Sequence, residues 1–253
     1  MKTNGGVRSA SPATPHAARQ EDIVCGRIGQ FSAWQSYIEA LQAFRETYAR
    51  HDGAVPRYNA GPGTRIAVIH ANGDVRPVWW GYRPSWAVAR KIPAMINARG
   101  DKIVSTAWKG MLRDGRVIVP ADCWYEWIKA PDGSRQPYLL RGRDAAPLFF
   151  AGLRSGDADL DNADGLVRDG GGVVNGVVIV TDASDAGIID IHDRRPVALS
   201  AADARLWLEP DTSADMAAEI ARTGNASVDA FEWFPVSKKL NNTRNDDVSL
   251  IAR

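Results

Sequence analysis

Pro120-Ala121-Asp122-Cys123-Trp124-Tyr125-Glu126-Trp127 is the stretch that decides how this chain folds. From Trp124 to Ile128 it reads as a strand, because aromatic and β-branched side chains suit a pleated, half-buried surface. Side chains alternate across a strand, so Glu126 shares a face with Trp124, and Tyr125 shares the other with Trp127. A carboxyl among indoles is poorly solvated, which raises its pKa toward the range useful for acid–base work. Glu126 is therefore the first candidate functional residue.

Further strand-like pieces lie on both sides of it: Arg65 to His70, Val75 to Trp80 and Val117 to Val119 before, then Tyr138 to Leu140, Leu148 to Leu153 and Val173 to Thr181. Phe231 to Val236 makes a last one. Gly, Pro, Asn and Asp punctuate them. Ser32 with Gln35 forms a capping box, and Trp34, Tyr37, Ile38, Leu41, Phe44 and Tyr48 follow at helical spacing. Helices are also expected at Ser184 to Ile191, Ser200 to Leu208 and Ser213 to Arg222. Strands and helices do not alternate regularly, which argues against a doubly wound sheet. The pattern predicts an α+β fold: one domain with a large mixed or antiparallel sheet flanked by helices. Residues 155–172, rich in Asp and Gly, read as a surface loop.

The length of 253 residues allows a sizeable core, and 45% hydrophobic with 24% charged residues is the balance of a soluble globular protein. No run approaches the roughly 18 apolar residues of a membrane span. Two cysteines, Cys25 and Cys123, form no disulfide framework, so a reducing, cytoplasmic location is expected. A net charge of +1 excludes a histone-like polycation but not a basic groove. Residues 1–24 carry no aromatic residue and no periodic apolar face, so they read as a disordered tail ahead of a single domain over 25–253. No Cys-x-x-Cys or His-x-x-x-His spacing supports a metal, and no Gly-rich loop supports nucleotide hydrolysis.

Four local clusters hold unusual chemistry: Cys25-Gly26-Arg27, Asn97-Ala98-Arg99, the Glu126 stretch, and Ile191-His192-Asp193-Arg194-Arg195-Pro196. Each has a bland reading. A lone cysteine is usually a small buried hydrophobe, and arginine pairs are usually solvated surface. Taken in order with Tyr58-Asn59-Ala60-Gly61-Pro62 and Val78-Trp79-Trp80-Gly81-Tyr82, they make the chain resemble the SRAP (SOS response-associated peptidase) family from Cys25 to about Asn245.

That resemblance implies covalent trapping of abasic sites in single-stranded DNA. An N-terminal cysteine carries an α-amine and a thiol that together close a thiazolidine on the aldehyde of an opened abasic sugar. An α-amine with a pKa of about 7.7–8.0 has a useful neutral fraction at physiological pH. By the resemblance, Cys25 is the nucleophile, Asn97 positions it and the sugar, Glu126 is the general acid–base, and His192 shuttles protons or holds the sugar oxygen. Arg27, Arg99 and Arg194 are implied phosphate contacts, Trp80 and Trp86 stack on or wedge between bases (core packing is the competing reading for Trp80), and Asn59 and Pro62 shape the pocket wall. Trp34, Trp108, Trp207 and Trp233 are expected in the core. Cys123, at a position where the family usually has glycine, is expected to be structural. Asp101 stands where the family more often has glutamate. The implied partner is abasic single-stranded DNA bound by a monomer associated with the nucleoid, without cofactor or membrane.

Cys25 follows Val24, so its nitrogen is an amide in the full chain. The expectation is that translation starts at a GTG codon for Val24, or that residues 1–24 are removed as a pro-segment by cleavage before Cys25. Two other readings remain open. One is a cysteine peptidase with Cys25 activated by His192, whose imidazole Asn97 or Glu126 orients. The other is a non-catalytic single-strand-binding module built on Trp and Arg side chains.

Overall fold

The structure, a computed structural model, describes residues 25–41, 56–155, 172–184, 187–188 and 191–253. Along the chain its strands are β1 (Ile28–Gln30), β2 (Arg57–Ala60), β3 (Arg65–Ile69), β4 (Val75–Trp79), β5 (Asn97–Arg99), β6 (Arg116–Ala121) and β7 (Cys123–Lys129). They continue as β8 (Arg135–Gly142), β9 (Leu148–Arg154), β10 (Val177–Ala183), β11 (Arg194–Pro196), β12 (Ala198–Leu199) and β13 (Phe231–Pro235). The helices are α1 (Trp34–Leu41), α2 (Ser85–Ala89), α3 (Lys109–Asp114), α4 (Ala201–Leu208) and α5 (Ala214–Thr223). The α+β class is therefore as expected. The single large sheet resolves into two.

The larger sheet has eight strands in the order β11-β10-β9-β6-β3-β4, with β12 beside β9 and β5 beside β10. Its pairs are antiparallel except β5 with β10, which makes it mixed. The smaller sheet is antiparallel, with the order β13-β8-β7-β1-β2. The chain passes from one sheet to the other between Ala121 and Cys123, within the stretch that decided the fold. The two sheets enclose a shared core: Trp124, Leu140 and Phe231 from one meet Val119, Phe150 and Ile179 from the other. Trp124 packs edge-on against both Phe150 and Phe231. The far face of the large sheet packs with helices around Trp108, Leu112, Trp207 and Ile220. Trp34 and Trp233 are only partly buried. Cys123 lies in a third cluster with Tyr125, Leu139 and Leu250, under the C-terminal segment. Layering of this kind buries both faces of every central strand, the main favourable term in folding.

Local signals placed α4 and α5 well: Ser200 and Ser213 cap them, accepting hydrogen bonds from the N–H groups of Asp203 and Met216. For α1 the capping box does not form. The Ser32 hydroxyl donates to Asp122 instead, and the Asp122 carboxylate also accepts from Phe31 N, Ser32 N and the Tyr37 hydroxyl. A residue distant in sequence thus sets the start of the helix and ties β1 to the crossing between the sheets. The last turns of α3 and α4 are satisfied by buried Arg116, which donates to the carbonyls of Leu112, Trp207 and Glu209. Phe44 and Tyr48 lie outside the described residues, as do residues 1–24.

The helix expected from Ser184 to Ile191 is a correction. Strand β10 runs through Ala183, and Gly187 sits at φ +69, in the left-handed region. A Cβ at Gly187 would collide with the Trp233 ring. Beyond it, Ile191 N and His192 N donate to the Ile188 carbonyl. Residues 185, 186, 189 and 190 lie outside the described residues.

Candidate active site

Register between β1 and β7 builds the centre of the site. Ile28 pairs with Trp124 and Gly29 with Cys123. Continuing the same ladder, Tyr125 N donates to the Arg27 carbonyl. Two residues before Arg27, Cys25 N donates to Glu126 Oε1 at 2.9 Å. Cys25 is 0% exposed and Glu126 2%. As alternation predicted, Glu126 and Trp124 point into the core between the sheets. Cys25 has φ +41, a conformation that costs a non-glycine residue and is tolerated where surroundings overdetermine it.

Burial governs the electrostatics. It pushes the Glu126 carboxyl up to about 8; the Cys25 N–H opposes that, and the Asp193 charge adds to it. Burial also raises the Cys25 thiol well above its ordinary value, and Glu126 and Cys123 push the same way. The site therefore holds a carboxyl that exchanges protons near neutrality beside a sulfur that stays a thiol.

The other residues that the motifs single out lie on β5, on β11 and on the turn before it. Asn97 lies opposite Ile179 and Arg99 opposite Thr181 in the parallel register. Asn97 Nδ2 reaches the Ile179 carbonyl at 3.4 Å. The neighbouring Ile96 packs on the same core as Cys25, and its carbonyl accepts from Trp80 Nε1. Arg194 donates to the carbonyl and hydroxyl of Thr181, which places it beside Arg99. Arg99 is held in a two-bond fork by Asp101, with Nε–Oδ1 at 3.0 Å and Nη2–Oδ2 at 2.7 Å. His192 is mostly buried, and its Nδ1 faces Asp193 and the Arg194 backbone N–H. Asp193 is a site residue that residue-type reasoning passed over; its position between His192 and Arg194 was the available signal.

Arg27 and Asn59 belong to a polar knot. Arg27 Nη1 donates to Asn59 Oδ1 and the Leu240 carbonyl, while its guanidinium lies over the Trp127 ring at 5.5 Å. Asn59 is buried, and its Nδ2 donates to the carbonyls of Leu240, Asn242 and Asn245. Asp246 completes the knot by accepting from Arg57 Nε and the backbone N–H groups of Tyr58 and Asn59. Nothing in the local sequence announced Asp246, because its partners are nearly two hundred residues away. Gly61 leaves room for Arg27: a Cβ there would stand 3.1 Å from Arg27 Nε. Pro62 is exposed in the turn that Thr64 closes on the Gly61 carbonyl.

The two tryptophans expected to meet bases differ. Trp80 is 1% exposed and packed in the core between the sheets, so a base reaches its face only by displacing that packing. The stacking expectation for Trp80 is corrected on that ground. Trp86, at 40% exposed, lies on α2 with the Arg90 guanidinium 5.7 Å from its ring centre.

The family model for SOS response associated peptidase (SRAP) matches residues 24–243, a span that takes in Cys25, Asn59, Glu126 and His192. The chain belongs to the SRAP family. Among SRAP relatives, the abasic site processing protein YedK of Escherichia coli is 34% identical over 233 residues, covering 90% of this chain and 99% of that protein. The abasic site processing protein YoaM of Bacillus subtilis is 29% identical over 234 residues, covering 90% and 97%. A phage-related protein of Bordetella bronchiseptica, solved by X-ray crystallography, superposes with a TM-score of 0.68 at 39% identity, covering 85% of this chain and 95% of that one. Asn245 and Asp246, which hold Asn59, lie beyond the span that the SRAP model matches. No helix among the described residues is long and apolar enough to cross a membrane.

Proposed function

We propose that this SRAP protein processes abasic sites in single-stranded DNA and traps them as a thiazolidine through Cys25. The observation that carries the reading is the 2.9 Å contact between Cys25 N and Glu126 Oε1 in a buried setting. Once Cys25 is N-terminal, that nitrogen is an amine. Its lone pair attacks the aldehyde carbon of the opened sugar to give a hemiaminal, which loses water to form an imine. The thiol then adds across the C=N bond, with sulfur bonding to carbon and its proton passing to nitrogen. Burial that raises the Glu126 carboxyl suits it to remove and return protons in these steps.

The abasic-site names of the YedK and YoaM relatives support the substrate. Asn97 and His192 serve as positioning and proton-transfer groups. Arg99, Arg194 and the open edge of Arg27 take phosphates, Pro62 lines the entrance, and exposed Trp86 stacks on a base. The same electrostatics disfavour the cysteine-peptidase reading, since such a nucleophile needs a lowered thiol and burial raises this one. The chemistry also requires that residues 1–24 be absent from the reacting form. The protein then works as a soluble monomer at the nucleoid, without metal or cofactor.

Denaturing gel electrophoresis with single-stranded DNA carrying one abasic site tests this. One form of the protein begins at Cys25 after removal of an initiating Met; the other retains residues 1–24, verified by mass. A heat-stable shifted band only with exposed Cys25 is expected. No band from either form overturns the crosslinking reading.

A further inference from the structure

Arg99 and Arg194 are like charges side by side, and each is gripped along one edge. Asp101 takes the Nε and Nη2 edge of Arg99, at 3.0 and 2.7 Å. Thr181 takes the same edge of Arg194 through its hydroxyl and carbonyl. Among the described residues, Nη1 of each arginine donates to no protein group. The turn that carries Asp101 is itself fixed. It is a single 3-10 turn over Gly100–Lys102, closed by Ile103 N on the Gly100 carbonyl and anchored by the buried Ile103 side chain. A Cβ at Gly100 would stand 3.4 Å from the Thr181 carbonyl, so the turn lies against the residue that holds Arg194.

The side chains of Arg99 and Asp101 are both about half exposed, so their ion pair adds little stability. Its effects are on direction and on field. A guanidinium held along one edge keeps its other edge aimed, and an arriving anion meets it already ordered. The Asp101 carboxylate also acts on Arg194, so it reduces the positive potential that a phosphate meets at both arginines. Asp193 and Asp182 add to that negative field. Asp193 contacts His192, and Asp182 accepts from the N–H of Ala183. Of the three, Asp101 alone grips a guanidinium among the described residues.

We propose that Asp101 determines specificity at this corner: it aims Arg99 at a phosphate in one register, and its charge weakens the hold of both arginines on undamaged single strands. This deepens the abasic-site reading and rests on it for the reacting strand. An intact strand gains from any phosphate near either arginine, in any register, so it responds to the net field. An abasic strand has to bring its aldehyde carbon to Cys25 while a phosphate meets Arg99, so it responds to the aim. Removing the charge and the fork together therefore moves the two strands in opposite directions. A merely structural role for Asp101 would move both the same way.

Asp101→Asn keeps the size of the side chain and removes its charge and one arm of the fork. Anisotropy titrations of the full chain with a labelled oligothymidylate across a salt series read the field. Asp101→Asn is expected to bind several-fold tighter at low salt, with a salt slope steeper by about 0.7, the increment for one phosphate contact on a single strand. The rate of crosslinking at saturating abasic single strand, in the form that begins at Cys25, reads the aim and is expected to fall several-fold. Asp101→Glu is expected to restore the oligothymidylate slope and part of the rate. Asp211→Asn removes the same charge from the exposed turn between α4 and α5 and is expected to move neither. Oligothymidylate binding that is unchanged or weaker in Asp101→Asn, a saturated rate that is unchanged or faster, or an equal effect from Asp211→Asn overturns the proposal. A wild type that forms no crosslink, while Asp101→Asn still tightens oligothymidylate binding, sinks the abasic-site reading and leaves the charge role of Asp101 standing.

Discussion

The nitrogen of Cys25 and the carboxyl of Glu126 meet at 2.9 Å inside the core between two sheets, where neither residue has appreciable contact with solvent. The nitrogen comes from the segment leading into β1 and the carboxyl from β7, and the antiparallel register of those strands sets the distance. Replacing Glu126 by Gln keeps the shape and an acceptor oxygen but removes the exchangeable proton. Crosslinking is expected to slow by about 10²–10⁴, the usual contribution of a positioned acid–base group. Cys25→Ala is expected to abolish heat-stable adducts on a denaturing gel while retaining salt-sensitive binding in anisotropy titrations. Adducts that survive in Cys25→Ala would contradict the assignment.

The same carboxyl couples folding to pH. Its folded value of about 8 lies above the ordinary value of an unfolded glutamate, about 4.3. The folded state therefore favours the protonated form, and the stability this gives is full below the unfolded value. It is lost as pH rises toward the folded value. Thermal denaturation of the wild type is expected to show a falling Tm between about pH 5 and pH 8. Glu126→Gln is expected to flatten that slope. An equal slope in both proteins would assign it to other groups.

Asn59 joins Arg27 to three carbonyls of the C-terminal segment. Asn59→Ala leaves those groups without their shared partner in a buried place. A loss of about 2–4 kcal/mol in urea denaturation is expected. Removing the residues after 243 takes away Asn245 and Asp246 and is expected to destabilise the fold similarly. Full stability in the shortened protein would show that the knot is not needed.

Trp80 and Trp86 separate packing from recognition. Trp80→Ala opens a cavity between the sheets and is expected to cost about 3–5 kcal/mol of stability. Trp86→Ala is expected to change stability by no more than ~0.5 kcal/mol yet weaken single-strand binding by about 1–3 kcal/mol. Binding measured in a Cys25→Ala background removes the covalent step from the comparison. Equal binding by Trp86→Ala and its parent would remove Trp86 from the interface.

Much of the fold was legible residue by residue. Strands β3, β4, β6, β7, β8, β9, β10 and β13 follow from alternation and β-branched content, and Ser200 and Ser213 announced their helices as caps. The short elements β1, β2, β5, β11 and β12 were not legible, since two to four residues hold no periodicity and gain their state from neighbours. The motifs brought Cys25, Glu126, Asn97 and His192 to notice by residue type and order. Asp122, Asp193 and Asp246 went unnoticed, because an aspartate in a loop looks the same whether it faces water or collects four hydrogen bonds.

Taken alone, the sequence determined the α+β class, the face on which Glu126 lies, and the family pattern that joins Cys25 to His192. Those depend on local periodicity and residue identity, which a linear chain records directly. Only the tertiary structure decided that the strands form two sheets, that Trp80 is sealed between them while Trp86 is exposed, and that Arg27 and Asn59 are tied to the C-terminal segment. It also decided how high the Glu126 carboxyl is driven. Each of these depends on what is removed from water and on which distant groups come within hydrogen-bond reach, and such properties exist only once the chain has closed on itself.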